Sequence, residues 1–187
     1  MKRLFLVLVA CGACGDNIGS PISYTDPAGG KLRLVRGAPS KTLKSINLDL
    51  VVGDAPLTGY SVGFDLPIDD TRVTLGAFTT ATALNPGSDP VAAKATLPQS
   101  GPLAHELVTA LSQKAAGTGA VAGDTQVAAG TVLYTIELDL VAHAANGVIF
   151  DGTKSDFVLP SGGMRDRLGN TVVEAKDVSI GKLELSQ

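Results

Sequence analysis

The chain has 187 residues, a formal net charge of −3, 4% aromatic residues and no tryptophan. That length suits one domain with a real core. A mildly acidic, patch-free balance argues against nucleic acid or anionic lipid as partners, since both need clustered lysine and arginine. Residues 1–14, MKRLFLVLVACGAC, place Lys2 and Arg3 before an apolar run, Leu4 to Ala10, and two cysteines. This is the layout of a secretory signal, too short to cross a hydrocarbon core of about 30 Å as a helix. Without Lys2 and Arg3 the balance is 13 basic to 18 acidic residues, a net charge of −5. No cysteine follows residue 14, so the exported domain can form no internal disulfide and must stand on its core.

Residues 15–30, GDNIGSPISYTDPAGG, read as a flexible linker, with Tyr24 as a solvated loop aromatic. From residue 31 the apolar period becomes two. Ile46, Leu48, Leu50 and Val52 share one face, and Tyr60, Val62, Phe64 and Leu66 another. In 131–142 the apolar face carries Val132, Tyr134, Ile136, Leu138, Leu140 and Ala142. Such alternation belongs to antiparallel strands with one side on a core. Shorter strands are expected at 32–36, 72–78, 147–150, 156–159, 171–174 and 178–185. Asn146-Gly147, Asp151-Gly152 and Arg167-Leu168-Gly169-Asn170 mark turns between them. Residues 103–116 fit a helix through Leu103, Leu107, Ala110 and Leu111, or a strand through Leu107, Thr109, Leu111 and Gln113. The strand is preferred because its neighbours are strands. Residues 116–130 read as a surface loop. About nine strands with short turns predict an all-β fold, an antiparallel β-sandwich spanning 31–187.

Two resemblances add to this reading. Leu8-Val9-Ala10-Cys11 resembles the lipobox of bacterial lipoproteins, whose cysteine is acylated and becomes the new N-terminus. Cys11 is the better match and Cys14 the alternative; a plain cleaved signal or a misplaced start would leave both unlipidated. The resemblance implies an exported protein held in a Gram-negative cell envelope by N-terminal lipid, palmitate included. Gly12 or Gly15 after the cysteine, in place of aspartate, implies the outer membrane. Next, INLDLVV at 46–52, GYSVGFDLP at 59–67, GTVLYTIELDLVA at 130–142 and RDRLGNTVV at 165–173 together resemble cohesin-like, immunoglobulin-like sandwich domains of bacterial surface proteins. Where that family has Tyr-Asp-Pro at a turn, this chain has Leu66-Pro67 followed by Asp69-Asp70. No partner-binding residue of the family carries over.

Chemistry is sparse. The two histidines, His105 and His143, lie in no nucleophile, metal-helix or cysteine–zinc pattern, which predicts a chain that is not an enzyme. Calcium is the ion best matched by the residues, with weak candidate ligands Asp65, Asp69 and Asp70 in one turn and Asp151 and Asp156 in another. Neither turn has the spaced register of an EF-hand, so solvated turns are the expectation and no cofactor is assigned. Tyr60, Phe64 and Tyr134 face inward by alternation, which leaves a glycan platform as an alternative only. The expected function is a non-catalytic, protein-binding or structural module whose partner is an unidentified envelope or surface protein, with no nucleic acid; a glycan-binding accessory lipoprotein is the runner-up and an enzyme the third alternative.

Overall fold

A computed structural model describes residues 21–84, 92–114 and 123–186. Its strands are numbered in chain order. One five-stranded sheet holds β2 (Leu32–Arg36), β3 (Ser45–Val52), β6 (Val73–Thr80), β10 (Val132–Leu140) and β14 (Val178–Ser179), in the order β14-β2-β3-β10-β6. The second holds β5 (Ser61–Pro67), β7 (Ala92–Thr96), β8 (Glu106–Ser112), β12 (Ser161–Arg165) and β13 (Thr171–Glu174), ordered β13-β12-β5-β8-β7. A third, shorter sheet places β15 (Lys182–Leu185) between β1 (Ile22–Thr25) and β11 (Gly147–Asp151). A ribbon pairs β4 (Leu57–Gly59) with β9 (Thr125–Val127). Among the described residues only β14, beside β2, pairs in parallel. Among the described residues the fold is all-β, a sandwich with no closed barrel.

Alternation explains how the two large sheets meet. Ile46, Leu48, Leu50 and Val52 of β3 are buried, as are Val62, Phe64 and Leu66 of β5. In β10 a register shift between Val132 and Tyr134 lets Leu133 and Tyr134 both turn inward. Phe64 and Tyr134 pack across the sandwich with ring centroids 6.3 Å apart. The Thr109 hydroxyl of β8 lies 2.8 Å from the Tyr134 hydroxyl of β10, a hydrogen bond joining one sheet to the other. Side chains from all three sheets form a single core.

Register fixes which loops share an end of the sandwich. Ser45 faces Asp139, Leu140 faces Val73 and Pro67 faces Glu106, so the segments 37–44, 68–72, 97–105 and 141–146 cluster together. The chain entry lies at the same end. Ile22, Leu185 and Gly147 form one row of the third sheet, and Gly147 sits against the Arg72 guanidinium. The Ser186 N–H donates to the Pro21 carbonyl at 2.9 Å.

Several expectations change. Residues 22–25 are a strand rather than linker, because Tyr24 is buried; its hydroxyl donates to the Leu34 carbonyl at 2.6 Å and accepts from the Gly181 N–H at 2.9 Å. Residues 156–159 form no strand: Phe157 closes a turn onto the Lys154 carbonyl, and the neighbouring strand begins at Ser161 instead. Thr125–Val127, expected in a loop, is β9. Ala142, expected inward, is exposed beyond the end of β10. The expected strand 178–185 is interrupted at Ile180-Gly181 into β14 and β15. Within 103–114 the strand reading holds over Glu106–Ser112, with Leu107, Thr109, Leu111 and Gln113 buried and Leu103 exposed in the preceding turn; residues 115 and 116 lie outside the described residues. Cys11, Cys14 and residues 15–20 lie outside the described residues.

Candidate functional site

The end holding the chain entry also gathers most of the chemistry found by sequence. Asp69 and Asp70 follow β5 directly, yet each has a different partner. Asp69 accepts from the Thr71 hydroxyl at 2.5 Å and backbone N–H at 3.1 Å, and forms an ion pair with Arg72. Asp70 turns inward, its side chain only 4% exposed, and meets His105. Nδ1 of His105 lies 2.9 and 3.0 Å from the two Asp70 oxygens. A carboxylate can only accept, so the proton belongs on Nδ1. The His105 ring is 65% exposed.

His105 is held by its backbone as well. It adopts φ +64°, donates its N–H to the Pro98 carbonyl and accepts from the Ile68 N–H. Histidine is among the few side chains enriched in this left-handed region. His143 shares that conformation, φ +61°, in the exposed turn 141–146. Among the described residues neither imidazole hydrogen-bonds to a hydroxyl that could serve as a nucleophile. The pairing of His105 with Asp70, 35 residues apart, left no local mark in the sequence.

The remaining acidic candidates are distributed. Asp65 points to the outer face of β5, where its carboxylate accepts from Ser161 at 2.6 Å. Asp151 accepts from the Thr153 hydroxyl at 2.5 Å, and that bond, ahead of nearby Lys154 and Lys182, holds its carboxyl below the usual range. Asp156 is exposed in the following turn. Among the described residues no three histidine, cysteine or carboxylate side chains converge as a metal-binding group. The outer face of the first sheet is acidic: burial, then the neighbouring Glu137, pushes the Asp139 carboxyl up.

Among the described residues, the grooves include two whose lining bears on binding. One of about 320 Å³ crosses the outer face of the second sheet, where Gly63, Ala110 and Gly163 align across β5, β8 and β12. The larger, about 480 Å³, runs beside the edge strand β14. Pro27, Phe157, Val158 and Ile180 give it an apolar wall, with Ser179 and Lys176 at its rim. Val158 stands 70% exposed there. Sequence reasoning missed this groove, since residues 27, 158 and 180 are brought together only by tertiary packing.

Comparison with known proteins identifies no relative: no family model, no curated protein and no solved structure matches the chain.

Proposed function

We propose that this chain is a lipid-anchored, non-catalytic module of the outer membrane that binds an extended segment of an envelope protein along β14. The observation carrying the reading is the apolar groove beside a sheet edge. An edge strand offers main-chain hydrogen bonds to an added strand, and pockets beside it select side chains. The signal-like start, the Cys11 motif and the resemblance of the sequence segments at 46–52, 59–67, 130–142 and 165–173 to cohesin-like domains support an exported recruiting module. The glycan alternative is weakened by the burial of Tyr24, Tyr60, Phe64 and Tyr134, which leaves no tyrosine platform on the described surface.

Envelope extract passed over the immobilised full chain tests the reading. Val158→Asp, a change at an exposed position, should lower recovery of the retained partner about tenfold. Equal recovery on both chains, or glycan-array binding in its place, would overturn the assignment. Cys11→Ser should abolish palmitate labelling and release the chain from membranes; retained labelling passes the role to Cys14.

A further inference from the structure

Loop 40–45 is an unusually well-stitched turn. The Ser40 hydroxyl donates at 2.6 Å toward the carbonyls of Thr42 and Ser45, and the Thr42 and Ser45 hydroxyls are 2.9 Å apart. The Thr42 hydroxyl also accepts from the Lys44 N–H, while the Lys44 carbonyl accepts from the Leu140 N–H. These bonds hold Leu43 outward between Lys41 and Lys44. The residue is 56% exposed.

The loop lies at the end of the sandwich where the chain enters at Pro21. Of the acidic side chains there, Asp69 is engaged by Arg72 and Asp70 by His105. Among the described residues, neither Lys41 nor Lys44 pairs with a carboxylate. Leu103, on the neighbouring segment 97–105, is a second exposed leucine at this end.

We propose that loop 40–45 is a membrane-contact element. Leu43 enters the boundary between headgroups and acyl chains, while Lys41 and Lys44 meet the phosphates of anionic phospholipid. Two lysines on an acidic chain are too few to recruit it to a membrane. The proposal therefore rests on the lipid-anchoring reading, because mooring supplies the effective concentration that makes a weak contact count. Its consequence is orientation: the entry end faces the bilayer.

The test supplies its own mooring. The full chain with Cys11→Ser and Cys14→Ser, carrying an added N-terminal hexahistidine tag, is bound to vesicles of phosphatidylcholine and phosphatidylglycerol in equal parts doped with nickel-chelating lipid. Lysine acetylation is then mapped by mass spectrometry on and off the vesicles. Labelling of Lys41 and Lys44 should fall about threefold or more, with Lys94 of β7 unchanged. Leu43→Ser, at an exposed position, should restore much of the labelling. Equal labelling on and off vesicles, or a loss at Lys94 as large as at the loop, would overturn the contact. Intact-mass analysis of the natural chain separates the two claims. A chain without acyl groups sinks the anchoring reading, and with it the loop's cellular role, even where the tagged chain is protected.

Discussion

Tyr134 shows how one polar atom is accommodated in an apolar sandwich. Its side chain is fully buried, and burial pushes its phenol well above the usual value despite the bond to Thr109. Thr109 also accepts from the Phe64 N–H and donates to the Phe64 carbonyl, both at 3.2 Å, so the Tyr134 hydroxyl donates to it. Removing either hydroxyl therefore has unequal effects. Tyr134→Phe leaves Thr109 with backbone partners and should cost about 0.5–1.5 kcal/mol. Thr109→Val strands the phenol without a partner and should cost more, about 1–3 kcal/mol. Urea denaturation of the two variants checks the order, and the double variant should cost less than the sum. Sequence alternation placed both residues inward, but nothing in it revealed that they meet.

Among the elements, legibility followed side-chain bulk. β3, β5 and β10 are rich in Ile, Leu, Val and aromatics at alternate positions, so their buried faces could be read directly. Ile136→Asp places a carboxylate in the core without a partner, which costs several kcal/mol and should leave the chain unfolded by circular dichroism. Glu137→Gln, on the wet face of the same strand, should shift stability by no more than about 0.5 kcal/mol. β12, SGGMR, and β7, AAKAT, escaped notice because glycine and alanine carry little strand preference. Gly163 is nonetheless required: at φ +104° an added Cβ would lie 1.9 Å from the Val173 carbonyl oxygen of β13. Residues 156–159 failed in the opposite way. Phe157, Val158 and Leu159 have strand-like side chains, but the Asp151–Thr153 and Lys154–Phe157 turns bend the backbone away from any ladder.

At the scale of the whole molecule, the third sheet ties the chain's two ends into one core. Ile22 and Tyr24 pack with Leu183, Leu185 and Phe150, and the rings of Tyr24 and Phe150 meet edge to face at 6.0 Å. Tyr24→Ala should therefore cost about 3–5 kcal/mol in chemical denaturation, the scale of a buried aromatic. Unchanged stability would return residues 22–25 to the linker. The expected domain start at residue 31 was too late because strand β1 has only four residues and lies among Gly, Pro, Ser and Asp. What the sequence determined by itself was the all-β class and the inward faces of the long strands, since alternation is a local consequence of the pleat. The third sheet, the Asp70–His105 pair, the groove beside β14 and the shared end of loop 40–45 and Pro21 were decided only by tertiary structure. Each depends on residues tens of positions apart, whose meeting is set by strand order and register rather than by any neighbouring side chain.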